Sequence, residues 1–139
     1  MGLVQLDDTA NVVSAVAEGN ISGGDWLSAG SYTSTVTSLD AGQFAATKVK
    51  VARGGSGTNV IGICLESTQS GTNALVSYSR CGVYILPCTG TVLAGDPIGA
   101  GGNGNGAGGV GPTTVAGAAV GRALTTAVSG GYAICQIGL

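Results

Sequence analysis

The chain of 139 residues holds only 9% charged residues, against roughly 25% in an average soluble domain, and 27 glycines. Such a composition suits turns and short strands and excludes long helices, because glycine costs about 1 kcal/mol per helical site relative to alanine. The net charge of −2 includes just five cations, Lys48, Lys50, Arg53, Arg80 and Arg122, too few and too scattered to neutralise a phosphate backbone, so no nucleic-acid partner is expected.

In chain order, residues 1–11 read as an N-terminal arm and residues 12–139 as a single β domain of one modest core. The first twenty residues carry Asp7, Asp8 and Glu18 and no basic residue, the opposite of a secretory leader, and no apolar run reaches the ~20 residues that span a bilayer. Synthesis in the cytoplasm and no membrane partner are therefore expected. Met1-Gly2 would suit myristoylation, but Leu6 stands where that motif wants Ser or Thr. The Asn20-Ile21-Ser22 sequon matters only in a secreted chain.

Two-residue alternation predicts strands at Val12–Val16, Tyr32–Ser38, Phe44–Ala52, Val60–Leu65, Ala74–Arg80, Val83–Leu86, Val120–Thr126 and Tyr132–Ile137. A short capped helix from Asp8 to Gly19 is the one helical alternative, and its β-branched valines favour a strand. Glycine-rich turns separate the segments, and the sum reads as an all-β small barrel or sandwich with little helix. Trp26, directly after the Gly24-Asp25 turn, is placed to anchor an interface or to fill core.

Sliding the chain by 59 residues lays Ile61-Gly62-Ile63-Cys64-Leu65 on Val120-Gly121-Arg122-Ala123-Leu124 and Ser70-Gly71 on Ser129-Gly130 without a gap. Each set follows a Gly-Asp turn, Gly24-Asp25 or Gly95-Asp96, so two strand–turn–strand pseudo-repeats are implied, about 20–87 and 91–139. The first is longer, consistent with an added hairpin around Lys48 to Gly57. The Gly-rich stretch 99–111 contains Gly104-x-Gly106-x-x-Gly109, but no helix opens after it and no acid follows Asp96, so it reads as a hairpin tip or inter-repeat loop and not as a dinucleotide site.

The chemistry-bearing residues are few. Cys64, Cys81, Cys88 and Cys135 lack metal-knuckle or redox spacing and read as reduced, buried thiols. There is no histidine, which removes the commonest general base and metal ligand, and no metal or cofactor is expected. Asp25 and Asp96 sit where a carboxylate caps its own turn. No catalytic residue is expected, and the chain reads as a surface for assembly, not as an enzyme.

The order Ile21-x-x-Gly24-Asp25, Ile61-Gly62-x-x-Leu65, Ser70-Gly71, Gly82-Val83-Tyr84-Ile85-Leu86-Pro87, Gly95-Asp96-Pro97, Val120-Gly121-x-Ala123-Leu124 and Ser129-Gly130 resembles the small head decoration, or cement, proteins of tailed bacteriophages. The resemblance runs from Val12 to the C-terminus and departs at 99–111 and in the four cysteines. It implies a homotrimer on the outer capsid surface of the virion, at threefold and quasi-threefold positions, bound to the major capsid protein and stabilising the expanded head against DNA pressure. In that setting Leu3, Val4, Gln5 and Leu6 are candidates for an arm that adds to a strand edge of a capsid subunit. A subunit of another assembly, such as a phage fibre base or surface filament, is the alternative. A carbohydrate-binding module would need clustered aromatics, and the six here are dispersed.

Overall fold

The computed structural model describes residues 4–7, 12–30, 49–54, 59–67, 74–101, 109–113 and 117–138. These form eleven strands and no α-helix: β1 (Val4–Asp7), β2 (Val12–Ala17), β3 (Trp26–Ala29), β4 (Val49–Arg53), β5 (Gly62–Ser67), β6 (Leu75–Ser79), β7 (Cys81–Pro87), β8 (Pro97–Ala100), β9 (Val110–Pro112), β10 (Ala119–Ala123) and β11 (Tyr132–Gly138). The valine-rich segment at residue 12 is a strand, as its β-branched side chains require, with Ala15 and Ala17 turned inward. The predicted strand Tyr32–Ser38 and the first part of Phe44–Ala52 lie outside the described residues.

Strands β2, β4, β3, β5 and β6 close into a five-stranded barrel, antiparallel except where β2 meets β4 in parallel at Ala15–Val49 through Ala17–Val51. The other sheet runs β1-β7-β11-β10-β8-β9. Without β1, its order repeats that of the barrel, with β7, β9, β8, β10 and β11 in the places of β2, β4, β3, β5 and β6. The closure is repeated too. Ala17 faces Val51 in the first unit and Cys88 bridges Val110, also in parallel, in the second. The next backbone bonds match as well, Glu18 N–H to Val51 O at 3.0 Å and Thr89 N–H to Val110 O at 2.8 Å.

This equivalence shifts the sequence-based boundaries. β2 belongs with the first unit and β7 with the second, so the units are β2–β6 and β7–β11. Within Lys48 to Gly57, where an added hairpin is expected, the described residues form β4, which closes the first barrel and has β9 as its counterpart. The Gly-rich stretch is narrower than 99–111, because Gly99 and Ala100 pair with Gly111 and Val110 across the β8–β9 hairpin.

Each unit has its own apolar interior. Ala15, Ala17, Ile21, Leu27, Val51, Cys64, Ala74, Val76 and Tyr78 fill the first. In the second, Leu86, Cys88, Val92, Ile98, Val110, Ala123, Ala133 and Cys135 hold the places of Ala15, Ala17, Ile21, Leu27, Val51, Cys64, Val76 and Tyr78, and Ile137 is buried beside them. Trp26 and Ile63 are the exception. They form a cross-strand pair between β3 and β5, back to back with Leu27 and Cys64, and are buried in the core of the second unit.

Two glycines at equivalent positions permit close strand approach. A Cβ at Gly62 would meet Ser79 O at 2.7 Å, and one at Gly121 would overlap the Gln136 carbonyl. Overpacking of this kind costs about 1–3 kcal/mol. Gly121→Ala should therefore lower the urea unfolding free energy by about that amount, whereas Gly19→Ala, where no atom lies within 4 Å, should leave it within about 0.5 kcal/mol.

Candidate functional site

The Gly-Asp turns are built alike. Gly24 and Gly95 adopt φ of 91° and 92°, a region open to glycine at little cost. Their N–H groups donate to Cys64 O and Ala123 O, each at 2.7 Å. The following carboxylates accept from the backbone three residues upstream, Asp25 Oδ2 from Ser22 N–H and Asp96 Oδ2 from Leu93 N–H, both at 2.9 Å. Each aspartate thus caps the turn of its own unit.

The two turns differ in electrostatics. Asp25 is buried and pairs with Arg53 Nε at 3.2 Å, whose own side chain is 42% exposed. In the second unit Arg122 Nη1 donates instead to the Gly95 carbonyl at 2.8 Å. Removing the buried Asp25 carboxylate leaves the Ser22 N–H without its acceptor and breaks the pair with the exposed Arg53, so Asp25→Ala should cost about 1–3 kcal/mol in urea unfolding. The more exposed Asp96→Ala should cost clearly less in the same measurement.

All four cysteines are thiols outside any disulfide; Cys64, Cys88 and Cys135 are buried and Cys81 is half-buried. Burial, with the neighbouring Cys88 second, pushes the Cys135 thiol from 9.0 up to about 11. The folded state therefore holds a proton that the unfolded chain releases earlier, and stability should fall as pH rises between about 9 and about 11. Near pH 8 a maleimide should label Cys81 first and the other three only on unfolding, which mass spectrometry would resolve. No group of three or more His, Cys, Asp or Glu residues able to hold a metal occurs among the described residues. A shallow groove of about 210 Å³ over Gly121, Arg122, Gln136 and Gly138 contains a single charged side chain.

The other residues singled out from the sequence are dispersed. Val4, Gln5 and Leu6 lie in β1, which pairs antiparallel with β7 of its own chain, Val4 with Ile85 and Gln5 with Tyr84. The expected arm is thus an edge strand of the larger sheet. Leu3 and Gly71 fall outside the described residues. Gly130 takes φ 86° in the turn before β11. Trp26 is 0% exposed, and its Nε1 donates to Gly109 O at 2.6 Å, so it joins the two units inside one chain and is not a surface anchor. Sequence reading missed β3, β8 and β9 and took β1 for an arm, although Val110 stands 59 residues after Val51 in the same slide that reveals the repeat.

No protein-family model and no curated protein matches the chain. Among solved structures it is similar to the crystal structure of the head fibre gp8.5 N base in bacteriophage phi29, with a TM-score of 0.59, 15% sequence identity, and coverage of 94% of this chain and 95% of that one. At that identity the likeness establishes a shared fold along nearly the full length of both chains.

Proposed function

We propose that this chain is a structural protein of a bacteriophage head, seated on the outside of the capsid shell, where it acts by adhesion and performs no chemistry. The observation that carries the reading is the end-to-end likeness to the base of a phage head fibre, a domain whose described setting is a phage head. The order of turn and strand landmarks, which resembles head decoration proteins, supports the same setting. The low charge and the capping roles of Asp25 and Asp96 are consistent with it.

In this reading the chain is a cement protein: a homotrimer at threefold and quasi-threefold positions that bridges major capsid subunits and stabilises the expanded head. Many weak trimers act together, so each need contribute only modest affinity. β1 offers the contact. One of its edges pairs with β7, and its other edge pairs with no described strand, so it can add main-chain hydrogen bonds to a capsid strand. The likeness to a fibre base favours a second reading, in which the same seat on the head carries a fibre.

Co-sedimentation with expanded and unexpanded heads tests the proposal, together with light scattering of the free protein. Selective binding to expanded heads by closed trimers is expected. Removing residues 1–7 should weaken that binding about tenfold or more. A monomer that binds neither form of the head would defeat the proposal, and open filaments in solution would favour the second reading.

A further inference from the structure

The second unit is apolar on both faces of its central strands. β7 and β11 bury Tyr84, Leu86, Ala133, Cys135 and Ile137 inside. On the outside the register aligns Pro87 with Tyr132, Ile85 with Ile134, and Val83 with Gln136. Leu124, whose N–H donates to Ile134 O at 2.7 Å, extends the middle row across β10. Val83, Ile85, Pro87, Leu124, Tyr132 and Ile134 therefore form one outer face, bounded on one side by Gln136 and Arg122. Tyr132 is 63% exposed and Leu124 46%.

An antiparallel sheet with one face on its core ordinarily shows polar side chains on the other. At the centre of the corresponding strands the first unit pairs Ser14 with Ser77 instead, with Val16 and Leu75 in the next row of the same face. The isoleucine row of the second unit is thus a local departure and not an effect of composition. Among the described residues the first unit meets the second beside β9, where Trp26 donates to Gly109, and Tyr132 and Leu124 stay exposed.

We propose that this face is the contact between copies of this chain, the occupant being a second copy. Two observations select that partner. The chain already joins barrel to barrel through an apolar outer pair, Trp26 with Ile63, so a surface of this fold accepts such a face. The face is apolar at its centre and meets charge only at its rim, where Arg122 stands beside Gln136 and the register sets Asp7 against Val83, the anatomy of an interface between subunits. A shell protein met only at the head would leave this patch in water until then, whereas identical chains cover it as soon as they fold. The inference bears on the self-association part of the proposed function and stands without its capsid part.

Light scattering on the full chain and on Leu124→Glu and Tyr132→Lys tests it, with circular dichroism to check the fold. Leu75→Lys, an exposed position on the first unit, is the control. The parent chain and the control should form a closed multiple of the 13.3 kDa subunit, and both face variants should run as folded monomers at the same concentration. If either face variant fails to fold, Tyr132→Ser should still raise the concentration of half-dissociation about tenfold. A parent that is monomeric at all concentrations, or face variants that keep the parent's assembly, would overturn the inference. So would variants that stay assembled and lose only head binding, which would give the face to the shell. Assembly of the parent with loss in the variants upholds it even where no head is bound, an outcome that defeats the head-binding reading alone.

Discussion

The architecture depends on one cross-strand pair that points the wrong way for its own barrel. Trp26 and Ile63 lie on strands whose next residues, Leu27 and Cys64, complete the first interior, and the alternation of a strand sends the pair out through the barrel wall. There they join the second core, and the indole N–H finds the Gly109 carbonyl, satisfying a donor that would otherwise be buried without a partner. At the equivalent positions of the second unit stand Pro97 and Arg122, paired in the same register and both exposed. One position pair thus decides which outer face is internal to the molecule and which is left to solvent.

The repeated strand order lets such different surfaces sit on one frame. Interior places, closing bridges and Gly-Asp turns are held in common, because each is needed to close a barrel. Outer places are free to diverge, and they do: Ser14 and Ser77 in one unit, Ile85 and Ile134 in the other. A small barrel repeated in tandem gains new surfaces without a new core.

Much of this was legible in the sequence. The β class, most strand positions, the repeat and the capping role of Asp25 and Asp96 followed from alternation, turn chemistry and the 59-residue slide. The legible features are local, set by residues within a few positions of one another. What escaped was non-local. β3, β8 and β9 are only three or four residues long, with little period to detect, and take their places by pairing. The partner of β1 and the destination of Trp26 depend on which strands meet across the fold, and no single segment encodes that. The division between units was misplaced for the same reason, since β7 follows β6 almost without a loop but pairs with β11.

The pairing of β1 with β7 also orders events during synthesis. Val4 leaves the ribosome early, yet its partner Ile85 is made only after the whole first unit. The first barrel can close while the leading segment waits unpaired, and the last unit completes its sheet by capturing it. Contacts so distant along the chain are slow to form, because loop closure must precede any gain from them. β1 is therefore among the later parts of this fold to reach its final place.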